Sequence, residues 1–391
     1  MNLVDAFIAA GWEVVFCSSS KKNEYSEKLQ ERGIRTEQIQ FNDPSFDLFV
    51  SHENPHYVIF DRFLTEEQFG WRVQDHSPDS VRIIDTIDLH FLRKEREKHL
   101  KAGMSLVDLA ACKFGLDTND TYREIAAIYR SDCSLIISDF EMKLLIERLE
   151  VPEKQLFLSR FHYPASPSSP SFEERSNFVM IGNFRHSPNS DALHWLQRDI
   201  WPEIRRHLPL AQVHVYGAYP TREIMNLTDP KMGFYVMGTA ANQFETLRQY
   251  RINLAPLRFG AGIKGKITDG WWTGTPVITT SVGAEGMSED LPWGGAISDD
   301  PQEFALNAVK LYQSKDAWEK CQAQGDAIIQ QLYSGLSHAS DIIKKMETIR
   351  HNLAQSRRAN FIGGMLSHHL HKSTKYFSLW IESKNSLKSP G

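Results

Sequence analysis

Three glycines and two lysines are gathered in Pro256-Leu-Arg-Phe-Gly-Ala-Gly-Ile-Lys-Gly-Lys-Ile-Thr-Asp269, after an apolar run and ahead of a helical pattern. Gly260, Gly262 and Gly265 let backbone N–H groups approach an anion, and a helix start behind them adds partial positive charge. Lys264 and Lys266 add two full charges, so the chemistry expected is a phosphate or diphosphate site. The plainer reading is a strand-to-helix turn with two solvated lysines. The same glycines fit the dinucleotide fingerprint G-x-G-x-x-G, with Glu285 as an acid 20 positions beyond Gly265. That fingerprint belongs to the first βαβ unit of its domain, and this loop comes late in its domain. The stretch also resembles the opening of a P-loop, but Ile267 stands where Ser or Thr would meet magnesium.

A second group, Asp85, Asp88 and His90, follows the apolar run Val81–Ile84. At a strand exit these residues orient an acceptor hydroxyl or assist its deprotonation, or else serve as plain capping groups. Asp61 and Arg62 follow the run Tyr57–Phe60 and read as cleft residues or as a surface ion pair. No D-x-D triplet and no His, Cys and acid spacing suited to a metal occurs, so no metal site is expected.

The stretch from Leu254 to Gly286, which includes Asp269-Gly-Trp-Trp-Thr-Gly-Thr-Pro-Val277 and Ser281-Val-Gly-Ala-Glu-Gly286, resembles the donor-site block of retaining, family-4-type glycosyltransferases. These belong to the glycosyl transferases group 1 superfamily and have the GT-B fold. Phe178-Val-Met-Ile-Gly-Asn-Phe-Arg-His-Ser-Pro-Asn189 is similar to the first strand and loop of their C-terminal domain, and Tyr216-Gly-Ala-Tyr-Pro220 to the next strand exit. Phe60-Asp-Arg-Phe63 and Ile84-Asp-Thr-Ile-Asp-Leu-His90 resemble the N-terminal half more loosely. The resemblance implies that Asp269, in place of the commoner Glu, grips the donor ribose, and that Lys264 and Lys266 are the candidates to hold the diphosphate, only one of them touching it. The family's E-x7-E pair is incomplete, because Ala261 occupies the first position. On this reading Gly182, Arg185, Gly217, Gly260, Gly262, Ile263, Lys264, Gly265, Lys266, Asp269 and Gly283 bind the donor. Asp85, Asp88, His90 and Lys264 serve the reacting centre. The implied activity is metal-independent transfer of a sugar, with retention, from a nucleotide-sugar to an unidentified acceptor, with no further cofactor. A catalytically degenerate nucleotide-binding or scaffold protein is the alternative, and a dinucleotide-dependent oxidoreductase is the third.

The surrounding elements read as α/β. Strand-like and helical patterns alternate from residue 2 to about 160 and again after Phe178. Between them Tyr163-Pro-Ala-Ser-Pro-Ser-Ser-Pro-Ser171 cannot hold a helix or a central strand, and it reads as an interdomain linker, the first point of proteolysis if it is exposed. The expected architecture is two Rossmann-like, doubly wound domains facing a cleft. They comprise an acceptor domain at 1–162 that lacks its first strand, a linker at 163–176 and a nucleotide-sugar domain at 177–335. Helices at 336–391 return to the N-terminal domain.

Composition narrows the class. Apolar residues make up 41% and charged residues 24% of 391, an ordinary soluble mix. No stretch approaches the ~20 apolar residues of a membrane helix, the start lacks the pattern of a secretory signal, and four cysteines are dispersed, so a reducing, cytoplasmic location is expected. The net charge of −5 disfavours nucleic acid as a partner. The charge is uneven: residues 354–391 hold six Lys/Arg (among them Lys372 and Lys388) against one acid, with His368, His369 and His371 beside them. Phe361, Met365, Leu366, Leu370, Phe377, Leu379, Trp380 and Ile381 make this tail too apolar for a free arm. It is expected to pack on the body with its basic face outward, and to contact a membrane or partner peripherally.

Overall fold

Short apolar strands joined by helices give parallel sheets, because each crossover returns the chain to the same sheet edge. The computed structural model describes residues 2–21 and 24–386. Strands β1 (Val15–Ser18) and β2 (Arg35–Gln38) pair parallel as a two-stranded sheet. Strands β3 (Tyr57–Asp61), β4 (Val81–Asp85), β5 (Cys133–Ile136) and β6 (Leu156–Leu158) form a separate parallel sheet in that order. Among the described residues no strand joins the two sheets. Side chains still bridge them: Cys17 and Val58 flank one core, and the Trp12 ring stacks on Tyr57 at 4.6 Å.

The second domain holds six parallel strands. These are β7 (Ser176–Asn183), β8 (Val213–Ala218), β9 (Phe234–Gly238), β10 (Tyr250–Ala255), β11 (Val277–Thr279) and β12 (Gly295–Ile297), in the order β12-β11-β10-β7-β8-β9. Its main core joins Phe178, Met180 and Val213 of the sheet to Leu193, Trp201 and Phe304 of the helices on that face. Strand order reverses beside β7, so the exits of β7 and β10 open onto the crevice where α/β folds take ligands.

Differences from the sequence reading have local causes. The patterns at 91–111 resolve into two helices, His90–Lys101 and Leu106–Ala110, because Gly103 takes φ +88 between them. Strands β2, β6, β9 and β12 had no counterpart in the reading: β2 is Arg-Thr-Glu-Gln, mostly exposed, with no apolar alternation to betray it.

The Pro/Ser segment, read as an interdomain linker, is tied to the second domain. Arg175 is fully buried and donates to the Thr273 carbonyl at 2.7 Å and to Thr275 Oγ1 at 2.6 Å; Trp272 Nε1 donates to the Pro164 carbonyl at 3.0 Å. The chain crosses back beside this segment, where the Tyr163 N–H donates to the Tyr333 carbonyl at 2.8 Å. The helices Gly335–His351, Leu353–Ala359 and Phe361–Ser386 then run along the first domain. The basic face expected outward is divided: Arg357 pairs with Asp132 at 2.8 Å and Lys375 with Asp75, while Arg358 and Lys384 are exposed. The side chains of His369, Leu370, His371 and Lys372, and residue Lys388, lie outside the described residues.

Candidate active site between the two domains

Helix Gly265–Trp272 begins where the glycine loop ends, with Lys264 at its N-cap position. Gly262 takes φ +64, and a Cβ there would meet Asp88 Cβ and the Ile87 carbonyl, each at 2.9 Å. Only glycine allows both that backbone and that approach, so Gly262 sets how closely the two domains meet. Its N–H is already used, donating to Glu141 Oε1 at 2.8 Å. Of the N–H groups that follow, that of Lys264 donates to Met287 Sδ at 3.4 Å and that of Ile267 to the Lys264 carbonyl at 2.7 Å, so those of Gly265 and Lys266, at the helix start, are the ones suited to an anion.

Lys264 is 7% exposed, and its Nζ is buried without a hydrogen-bond partner. Burial lowers its pKa, opposed by the charges of Glu285, Glu141 and Asp88. A buried ammonium with no acceptor costs free energy, which an arriving anion would offset. Lys266 sits on the helix and donates to Asn189 Oδ1; burial draws its pKa down to about 8. The two lysines thus diverge, one toward the first domain and one toward helix Ser187–Trp195, which follows β7.

The opposite wall is the loop after β4. Two buried carboxylates from other helices hold its backbone: Glu141 accepts the Leu89 N–H at 3.0 Å, and Glu124 accepts those of His90 and Phe91 at 3.1 and 3.0 Å. Burial pushes Glu141 up to about 7 and Glu124 up to about 8. The loop carries strain, because Ile87 takes φ +60; Arg62 at the β3 exit (φ +66) and Tyr219 after β8 (φ +57) do the same. Left-handed non-glycine residues at three strand exits are the kind of feature that clusters at working sites.

Asp88 is buried and paired with Arg93. His90 is half-buried with its Nε2 unpartnered, its ring edge on Phe63; burial draws its pKa down to about 4, so it is neutral at pH 7. Asp85 accepts the Ile87 N–H at 3.2 Å, and burial lifts it to about 6. Arg62 pairs with the exposed Asp61 at 2.9 Å. His186 shares the electrostatic surroundings of Arg93, Asp88, Lys266 and Arg62. The cleft therefore gathers cationic groups from both domains around one buried aspartate.

The remaining residues singled out in the sequence occupy varied places. Asp269 accepts from Tyr163 Oη at 2.6 Å and from Gln243 Nε2 at 3.2 Å, and burial lifts it to about 6. Arg185 is exposed, its guanidinium 3.7 Å over the Tyr219 ring. Packing accounts for three glycines: a Cβ on Gly182 would meet Asn189 at 3.0 Å, one on Gly217 would enter the Phe184 ring, and one on Gly283 would strike Thr279. Ile263 is buried with Ile267 and Trp271. Ala261 packs against the core of the first domain, a place where a carboxylate would be desolvated.

Sequence reasoning passed over Arg93, Asn189 and Glu141, and it treated Glu285 only as a possible ribose acid. Glu285 instead binds Arg96, which reaches across from helix His90–Lys101 and also donates to the Gly260 carbonyl at 2.8 Å. That role removes the dinucleotide fingerprint's acid. The Ser138-x-x-Glu141 spacing was a usable signal, since Ser138 caps its helix by accepting the Glu141 N–H. The described residues contain no cluster of three or more His, Cys, Asp or Glu able to hold a metal, and no helix long and apolar enough to cross a membrane.

Residues 175–314 match the family model described as Glycosyl transferases group 1. No curated protein matches the chain. Among solved structures, Anabaena Alr3699/HepE in complex with UDP aligns at TM-score 0.66 with 12% identity, covering 89% of this chain and 96% of that one. Sucrose-phosphate synthase from Thermosynechococcus elongatus aligns at 0.65 with 14% identity, covering 89% and 91%. The pneumococcal O-GlcNAc transferase GtfA, in complex with UDP and GlcNAc, aligns at 0.59 with 18% identity over 78% of this chain. The chain spans 60% of GtfA and 46% of the longer S. aureus TarM mutant. At these identities the likeness concerns the fold, and the fold is the GT-B pairing of two α/β domains. Residues 175–314 are therefore similar to the glycosyl transferases group 1 family, within a chain of GT-B fold.

Proposed function

We propose that the cleft transfers a sugar from a nucleotide-sugar to an acceptor, with retention and without a metal ion or further cofactor, in the cytoplasm. The observation that carries this reading is Lys264: a buried, unpartnered ammonium at a helix start, where the two domains touch. A diphosphate there would accept from Lys264 and from the first N–H groups of the helix. These donors are fixed before the sugar leaves, so they stabilise charge as it develops on the leaving group. Lys266, steadied by Asn189, would hold the ground state. Asp269 would accept from the ribose, with Tyr163 keeping the carboxylate in place. His90 and Asp88 would orient the acceptor hydroxyl from the first domain. The tight approach at Gly262 would exclude water and so favour transfer over hydrolysis.

UDP is the first nucleotide to test, because two of the aligned structures contain it. The experiment is a panel of nucleotide-sugars with the full chain, read as nucleoside diphosphate released and by NMR of the anomeric proton in any product. Lys264→Ala should lower turnover of the accepted donor by about 2–4 kcal/mol, roughly 30- to 1000-fold. Binding of a donor without any release would favour the degenerate, binding-only reading, to which Ala261 in place of an acid already points. No binding of any donor would remove both.

A further inference from the structure

Helix Phe361–Ser386 is built inside out. Its inward side is small and polar: a Cβ on Gly363 would strike the Tyr129 carbonyl, Ser378 Oγ donates to Asn42 Oδ1 at 2.6 Å, and the buried Arg72 reaches both Ser378 and Glu382. Its outward side carries two apolar groups. Phe361, Ile362, Met365, Tyr376, Phe377 and Trp380 are between 45% and 80% exposed along the 26-residue helix. A helix resting on a soluble protein normally shows the reverse arrangement, with its apolar stripe toward the core. Two exposed apolar groups, Phe361, Ile362 and Met365 at one end and Tyr376, Phe377 and Trp380 near the other, mark a surface that meets something other than water.

Two further features identify the occupant. Lys384 lies 4.4 Å over the Trp380 ring, and Arg358 is exposed at the other end, so cations flank the apolar groups while Arg357 and Lys375 are paired with Asp132 and Asp75. Beside the helix start, Ile362 and Leu366 line an open apolar groove of about 630 Å³ together with Ile125 and Leu149. Arg148 at this groove donates to the Cys112 and Phe114 carbonyls, and Asp117 lines the same groove. Exposed aromatic rings, of which Tyr376 and Trp380 have polar tips, and flanking cations together suit a lipid–water interface.

We propose that this face docks on an anionic lipid surface, with the helix lying in the headgroup plane. The rest of the chain, residues 1–353, carries the excess of acidic residues that makes the whole protein negative. It is repelled by the same surface, which confines contact to this face. The inference does not depend on the sugar-transfer reading.

The test is flotation of the full chain with vesicles of phosphatidylcholine alone and with roughly a quarter phosphatidylglycerol. The Phe377→Glu/Trp380→Glu variant is compared with the native chain, and Leu210→Glu, which alters an exposed residue of the second domain, serves as the control. Circular dichroism establishes that the variants fold, as expected for exposed positions. The native chain and the control should float with the anionic vesicles and release at high salt. The double variant should bind about tenfold less, because it loses apolar burial and gains repulsion. Equal binding by the double variant would overturn the proposal. So would absence of vesicle binding together with a native dimer that the double variant abolishes, which would give this face to a second copy of the chain.

Discussion

Replacing Arg96 with Met should open the cleft before it unfolds either domain. Arg96 is fully buried; it donates to Glu285, to the Gly260 carbonyl at 2.8 Å and to the Leu109 carbonyl at 3.1 Å. Methionine fills most of the volume but leaves the Glu285 side chain, 6% exposed, as a buried carboxylate without a partner. Breaking one side of such a pair costs about 3–5 kcal/mol. Because Glu285 and Arg96 belong to different domains, the chain can avoid that cost by separating them and hydrating both. The variant should therefore show a larger radius of gyration by solution scattering, with the circular dichroism of each domain retained, and a lower urea midpoint. Replacing both partners with Met removes the charge and should recover most of the midpoint, since well-packed apolar pairs commonly equal buried ion pairs. An Arg96→Met variant with unchanged scattering and a loss below about 1 kcal/mol would refute the argument that this pair holds the domains together.

Gly262→Ala should leave both domains folded but abolish turnover, because the added Cβ meets Asp88 and the Ile87 carbonyl at 2.9 Å and cannot take φ +64 without strain; donor assays with a thermal melt check this. Glu124 makes stability fall with rising pH. Unfolded glutamate titrates near ~4.3, and folded Glu124 near about 8. Across that window the folded chain keeps a proton that the unfolded chain has released. Tm measured from pH 5 to 8 should fall less steeply in Glu124→Gln than in the native chain, and equal slopes would contradict the burial argument. Asp269→Asn should weaken nucleotide and nucleotide-sugar alike by about 1.5–3 kcal/mol, read by calorimetric titration, if the carboxylate grips the ribose.

What the sequence made legible follows from the range of the interactions. The glycine loop announced itself, because an apolar strand, three glycines and a helix start are neighbours in the chain, and the helix does begin at Gly265. The clustering of Asp85, Asp88 and His90 after β4 was readable for the same reason. The carboxylates that hold this loop were not readable, since Glu124 and Glu141 arrive from helices 34 and 52 residues away to accept the N–H groups of His90 and Leu89. Nor was the binding of the Pro/Ser segment, which depends on Arg175 finding Thr273 and Thr275 about a hundred residues on. The tail was legible as apolar and helical. Its orientation was not, because polar partners such as Asp132, Asp75 and Arg72 draw its polar side inward against the ordinary pattern.

The most direct test of the central claim is a crystal structure of the chain with a nucleoside diphosphate. The account predicts the terminal phosphate within hydrogen-bond distance of Lys264 Nζ and of the N–H groups at the start of helix Gly265–Trp272, with the ribose on Asp269. A diphosphate bound elsewhere, with Lys264 still unpartnered beneath Gly262, would contradict it.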